Sequence, residues 1–148
     1  MRMIALFGTE SGNAEDAARA IAKELPDLAI EVENMADAAP DDIDRDAFYF
    51  ITCSTHGGGE LPGFAQFLHD DLDDLNPDLT GLRYAMFGLG DTTYEKSYNR
   101  GSHEFDELLT RLGAQRVGPF GEHDVMSRQD PAASAAAWAR AVVDELRP

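Results

Sequence analysis

The stretch Ile4-Ala5-Leu6-Phe7-Gly8-Thr9-Glu10-Ser11-Gly12-Asn13-Ala14 decides the fold. Four apolar residues run without alternation and stop at a glycine. Unbroken apolarity of this length is expected of a strand covered on both faces, hence of a parallel sheet with helices on each side. A short loop of small and hydroxylated residues follows. Ala14, Ala17, Ala18, Ile21, Ala22 and Leu25 then recur at helical spacing, with Asn13 placed to cap the helix and Pro26 just beyond its end.

Working outward, the same design recurs. Phe48 to Ile51 and Tyr84 to Phe87 are further unbroken apolar runs. Phe105, Leu108, Leu109 and Leu112 form a second helical stripe, closed by Gly113. Ala135, Trp138, Ala139, Val142, Val143 and Leu146 form a third, after Pro131, a residue suited to a first helical turn. Phe64, Phe67, Leu68, Leu72 and Leu75 make a weaker stripe. Leu28 to Val32 and Gln115 to Phe120 read as weaker strands. Alternating strands and helices predict an α/β fold with right-handed crossovers. At 148 residues the expectation is one domain spanning residues 1–148. A chain of that size buries roughly two-thirds of its unfolded surface and needs no disulfide or metal to hold it.

Composition narrows the function. Twelve Lys and Arg against 28 Asp and Glu leave a formal net charge of −16. Phosphate backbones are bound by clustered Lys and Arg, so nucleic acid is excluded as a partner. An anionic membrane surface would repel such a chain. The N-terminal apolar run is too short for a secretory signal, and no run reaches the roughly 20 residues of a membrane span. Cys53 is the only cysteine, which excludes an internal disulfide framework and a multi-thiolate metal site. His69, His103 and His123 have no metal-ligand spacing. These features predict a soluble, cytoplasmic, monomeric protein without a metal.

In open α/β sheets a ligand sits outside the carboxyl ends of the strands. That rule singles out three loops, after Phe7, Cys53 and Leu89. The first, Gly8 to Ala14, presents hydroxyls and free amides at a helix N-terminus, the makings of an anion site. It has no Lys or Arg, so it is not a nucleoside triphosphate loop, and Gly8 and Gly12 are wrongly spaced for a dinucleotide fingerprint. Thr9, Ser11 and Asn13 are equally suited to simple helix capping. The second loop, Ser54-Thr55-His56-Gly57-Gly58-Gly59-Glu60, lets backbone approach a planar ligand closely. His56-Gly57-Gly58-Gly59 also matches an esterase oxyanion loop, but the chain lacks the G-x-S-x-G nucleophile turn that such an enzyme needs. The third, Gly88-Leu89-Gly90-Asp91-Thr92-Thr93-Tyr94-Glu95, presents Tyr94 where it could face His56 across a slot. A phospho-receiver on the same fold would need an Asp ending the middle strand, where Cys53-Ser54 stands.

Taken in order, these three loops resemble the flavin loops of the flavodoxin family. The likeness is strongest to the FMN domains of diflavin reductases and to small stand-alone flavodoxins of the cindoxin and MioC types. Leu112-Gly113-Ala114-Gln115-Arg116 and the segment from Asp130-Pro131 to Trp138 extend it over nearly the whole chain. The resemblance implies a three-layer sandwich around a five-stranded parallel sheet of order 2-1-3-4-5, and one noncovalent FMN. It places the FMN phosphate on Thr9, Ser11, Gly12, Asn13 and Ala14, with Glu10 in the same loop. Ser54, Thr55, His56, Gly57, Gly58 and Gly59 would line one side of the isoalloxazine. Leu89, Gly90, Asp91 and Tyr94 would line the other, Tyr94 being the main stacking ring, with Asp124 beside the flavin. His56 stands where many relatives have Tyr, and its smaller ring implies weaker retention of FMN.

The function implied is single-electron transfer, without catalytic residues of its own. The donor would be an NAD(P)H-dependent flavoprotein reductase. The acceptor would be a basic-faced redox enzyme, either a haem-thiolate monooxygenase or an iron–sulfur or radical enzyme. An FMN-dependent NAD(P)H:quinone oxidoreductase is the alternative, although no nicotinamide site is visible in the sequence. A peptide flip at Gly57-Gly58 would serve the flavin N5 proton, and protonated His56 would favour the reduced, anionic flavin. Glu60, Asp91, Glu95, Asp70, Asp71, Asp73 and Asp74 suggest an acidic docking face, or else a solvated surface.

Overall fold

The computed structural model describes residues 1–9, 12–55, 61–90, 99–124, 126–127 and 129–146. The unbroken apolar runs form its central strands: β1 (Met3–Gly8), β3 (Phe48–Ser54) and β4 (Arg83–Gly90). The edge strands are β2 (Glu31–Asn34) and two short pieces, β5 (Gln115–Arg116) and β6 (Gly121–Asp124). Every pairing is parallel, and the order is β2-β1-β3-β4-β5, with β6 also on β4. This is the expected 2-1-3-4-5 sheet.

Four helices cover it: α1 (Asn13–Glu24), α2 (Gly63–Leu75), α3 (Arg100–Arg111) and α4 (Pro131–Leu146). Because side chains alternate along a strand, each central strand supplies both faces. Ala5, Phe7, Phe48, Phe50, Ala85 and Phe87 pack with α1 and α4, where Trp138 lies edge-on to Phe50 with ring centres 6.2 Å apart. Ile4, Leu6, Tyr49, Ile51, Cys53 and Met86 pack with α2 and α3. Burial in this second layer pushes the Cys53 thiol up to about 12, so it stays protonated and inert.

One polar cluster is built into that layer. Tyr84, fully buried, donates its hydroxyl to Asp106 Oδ1 at 2.6 Å, and Arg116 Nη1 reaches Asp106 Oδ2 at 2.8 Å. Burial and then the Asp106 carboxylate push the Tyr84 phenol far above its ordinary range. The three residues join β4, α3 and β5 near the amino end of the sheet.

Local expectations are corrected in four places. The second strand begins at Glu31 rather than Leu28, because Pro26 opens a 3-10 turn over Pro26–Leu28 that ends with Ala29 at φ 50°. The fifth strand is interrupted: Arg116 lies opposite Tyr84 but Gly121 lies opposite Phe87, so five residue steps match three. Gly118 at φ 79° and Pro119, which lacks an amide donor, explain the break. The α1 cap is Gly12, and Asn13 is the first helical residue. In α2, Ala65, Leu68 and Leu72 are the buried residues, whereas Phe64, Phe67 and Leu75 face outward.

Candidate functional site

The strand register brings the three loops to one rim. Gly8 lies opposite Cys53, Ser54 opposite Leu89, and Gly90 opposite Asp124, so the carboxyl ends of β1, β3, β4 and β6 are neighbours. Of the residues expected at the site, Thr9, Gly12, Asn13, Ala14, Ser54, Thr55, Leu89, Gly90 and Asp124 are described there. Glu10, Ser11, His56, Gly57, Gly58, Gly59, Asp91 and Tyr94 lie outside the described residues.

At the first loop, α1 starts from Gly12 at φ 92°, a backbone conformation that a side chain would strain, with open space around its Cα. Its amide donates to Thr9 Oγ1 at 2.9 Å, and its carbonyl accepts from Asp16 at 3.0 Å. The cap residue Gly12 has no side chain to offer, and the amides of Asn13, Ala14 and Glu15, which lack an intrahelical acceptor, face the rim with the positive end of the helix dipole. Ala14 is fully buried, and its carbonyl accepts from Thr52 Oγ1 at 2.8 Å, which fastens the first turn of α1 to β3.

The entrance to the second loop is tied to the third. Thr55 donates its amide to the Leu89 carbonyl at 3.0 Å and accepts the Gly101 amide on Oγ1 at 3.2 Å. By the alternation of β3, Ser54 shares the α1 side of the sheet with Thr52. Its hydroxyl is buried and has no hydrogen-bond partner among the described residues.

The exit of the third loop holds a feature the sequence did not disclose. Asn99 is fully buried, adopts φ 54° and caps α3, while neither polar atom of its carboxamide has a partner among the described residues. Ser102 Oγ donates to the Asn99 carbonyl at 2.8 Å. Both residues sit against Gly88: a Cβ there would fall onto Ser102 Oγ and within 2.9 Å of Asn99 Oδ1. The available signal was an Asn just before a helix and a Gly two residues before the end of a buried strand, neither distinctive alone.

On the far side of the rim, Asp124 accepts the Met126 amide at 2.9 Å and closes the turn after β6. His123, beside it, is buried; desolvation lowers its pKa, against the opposing pull of Asp124 and Asp130.

A buried polar group left unpaired costs about 1–3 kcal/mol, and here the Ser54 hydroxyl and the Asn99 carboxamide stand at one sheet rim beside an uncapped helix N-terminus. Polar groups assembled this way at the carboxyl ends of parallel strands are what a nucleotide cofactor held through hydrogen bonds and backbone amides would satisfy. Comparison with known proteins is consistent. The flavodoxin family model matches residues 6–138, and the chain belongs to that family.

The backbone matches a flavodoxin from Pseudomonas aeruginosa, solved as a cysteine-to-serine mutant, with a TM-score of 0.86 at 28% identity over the full length of both chains. It matches flavodoxin 2 of Bacillus cereus with a TM-score of 0.80 at 28% identity, covering 97% of this chain and 99% of that one. In sequence it is 32% identical over 149 residues to the sulfite reductase [NADPH] flavoprotein alpha-component of Vibrio cholerae, covering 99% of this chain and 24% of the reductase. It is 38% identical over 125 residues to the NADPH–cytochrome P450 reductase of Candida maltosa, covering 80% of this chain and 18% of the reductase. The chain thus spans a quarter or less of these curated relatives. Membership implies FMN as the cofactor and electron transfer as the class of activity. The unpaired Ser54 and Asn99 groups and the open α1 terminus fit a ligand rich in phosphate, hydroxyl and ring-carbonyl groups.

Proposed function

We propose that residues 1–148 act as one domain, a cytoplasmic electron carrier that holds FMN noncovalently and has no catalytic residues of its own. The observation that carries this is the uncapped start of α1 at Gly12, joined at one rim by the buried, unpaired Ser54 hydroxyl. FMN, when bound, supplies the one-electron chemistry. The amides of Asn13 and Ala14, with the hydroxyls of Thr9 and Ser11, bind its phosphate end without a counter-charge, and Gly12 forms the turn that presents them. Glu10 lies between Thr9 and Ser11 in the sequence. Thr55, His56, Gly57, Gly58 and Gly59 flank one side of the ring, and Leu89, Gly90, Asp91 and Tyr94 the other.

The Thr52–Ala14 and Thr55–Gly101 bonds hold these loop bases in place. Asp124 contributes a negative charge at the same rim, which disfavours an extra electron there and favours its donation onward. Electrons arrive from an NAD(P)H-dependent flavoprotein reductase and leave to a basic-faced redox acceptor, a haem-thiolate monooxygenase or an iron–sulfur or radical enzyme. The sulfite reductase and P450 reductase relatives support a reductase as the source, since by name each uses NADPH.

The visible spectrum of the purified chain after addition of FMN tests this. Uptake of one FMN with perturbed flavin bands, and no NAD(P)H oxidation until a reductase is added, is the expected result. A chain that takes up no FMN refutes the carrier; one that oxidises NAD(P)H with quinone unaided is a quinone oxidoreductase.

A further inference from the structure

We infer that the outer face of α2 is the surface on which a basic redox protein docks, with Phe64 and Phe67 as its apolar contact and Asp71 and Asp74 as its charged flank. This deepens the carrier reading above and rests on it. The stripe Phe64, Phe67, Leu68, Leu72 and Leu75 has helical spacing, but α2 turns only Leu68 and Leu72 of it, together with Ala65, toward the sheet. Phe64 remains 59% exposed and Phe67 66% exposed, although each would gain about 1.5–3 kcal/mol by burial. They meet edge to face, with ring centres 6.3 Å apart, as one aromatic patch. Such patches on otherwise polar surfaces mark contact sites for other proteins.

Position selects the kind of partner. α2 begins at Gly63, directly after the second loop, so Phe64 lies in the first turn at the cofactor rim and Phe67 one turn beyond. Residues 64, 67, 71 and 74 are spaced three, four and three apart and share one helical stripe. Hence the aromatic pair leads from the rim into two exposed carboxylates, about 15 Å of helix in all. Neighbouring acids are already engaged: Asp73 pairs with Arg111, and Asp70 accepts from Gln66 at 2.9 Å and meets His69 at 3.2 Å. Asp71 and Asp74 have no partner among the described residues. In a chain of net charge −16, an apolar patch continued by unpaired carboxylates is complementary to a partner with an apolar spot ringed by Lys and Arg. The carboxylates steer the encounter, and the aromatic pair, close to the flavin end, holds the short-lived complex while the electron passes.

The test uses the FMN-loaded full chain, photoreduced with EDTA as the electron donor, with ferricytochrome c as a basic haem-protein probe and ferricyanide as a small acceptor that needs no docking surface. Because both rings are exposed, Phe64→Ser with Phe67→Ser leaves folding and FMN uptake intact. The second-order rate to cytochrome c is expected to fall about tenfold, the loss of one good interface contact, while the rate to ferricyanide holds. Asp71→Asn with Asp74→Asn is expected to slow transfer at low salt and flatten its salt dependence, with little effect at high salt. Rates to cytochrome c unchanged in the double Phe variant would overturn the docking surface while leaving the carrier intact. Wild-type chain that reduces neither acceptor would overturn the carrier reading and the surface with it. Sedimentation showing a wild-type dimer that the Phe variant dissolves would make this face a self-contact instead.

Discussion

Thr52 Oγ1 donates to the Ala14 carbonyl across 2.8 Å, wholly inside the protein, and so joins the middle strand to the helix turn that opens onto the rim. Thr52→Val keeps the shape and removes the donor. The expected cost is about 1 kcal/mol in urea unfolding, with FMN binding weakened several-fold. Thr52→Ser, which restores the donor, should recover most of the binding; equal losses in both variants would show that only packing matters.

At Gly88 the start of α3 lies against β4 with no room for a side chain. Gly88→Ala puts a methyl onto Ser102 Oγ and beside Asn99 Oδ1, so the buried start of α3 has to shift. Overpacking of this kind costs about 1–3 kcal/mol. A lowered melting temperature together with weaker FMN uptake is the expected pair of results. Normal FMN affinity in a destabilised variant would separate Asn99 from the site.

The Tyr84–Asp106–Arg116 cluster lies toward the other end of the sheet and should affect stability alone. Asp106→Ala leaves the Tyr84 hydroxyl only the weaker 3.2 Å bond to the backbone carbonyl of residue 106 and frees Arg116. A loss of about 1.5–3 kcal/mol is expected. Tyr84→Phe removes the same bond, so the double variant should lose less than the sum of the singles, read by urea titration. FMN binding should not change.

His123 makes stability depend on acid. Burial lowers its folded pKa, while in the unfolded chain it titrates near the ordinary value of about 6.5. Below that pH the unfolded chain takes up the proton first. The contribution is therefore complete above about pH 6.5 and declines as pH falls toward the lower, folded value. In His123→Asn the slope of unfolding free energy between pH 7 and pH 5 should be shallower than in wild type. Identical slopes would remove His123 from the acid response.

FMN affinity should rise with salt. The chain carries −16, and no Lys or Arg stands between Gly8 and Ala14 to offset the phosphate. Long-range repulsion is screened over about 8–10 Å at moderate ionic strength. Titrating the apoprotein with FMN at low and high salt checks this, and weaker binding at high salt would contradict it.

The chain alone was sufficient for the architecture, for a physical reason. Central parallel strands are buried on both faces, so Ile4–Phe7, Phe48–Ile51 and Tyr84–Phe87 had to be unbroken apolar runs, and the loops at their ends had to carry the ligand chemistry. Edges and helix faces obey weaker local rules. The second strand shifted to Glu31 because Pro26 and Ala29 form a turn, and the fifth split because Gly118 and Pro119 interrupt its ladder. Asn13 resembled a cap, but Gly12 can adopt the left-handed turn that the entry to α1 takes.

Only the tertiary structure decided which polar groups end up buried and unpaired, and which rings stay in water. Asn99 becomes an orphan because Gly88 lets α3 come close enough to enclose it, a contact between residues 11 apart with no local signature. Phe64 and Phe67 fit a helical stripe as well as Leu68 and Leu72 do; the direction from which α2 meets the sheet chose between them. Periodicity specifies that a helix has a face, whereas long-range packing determines which face the core receives.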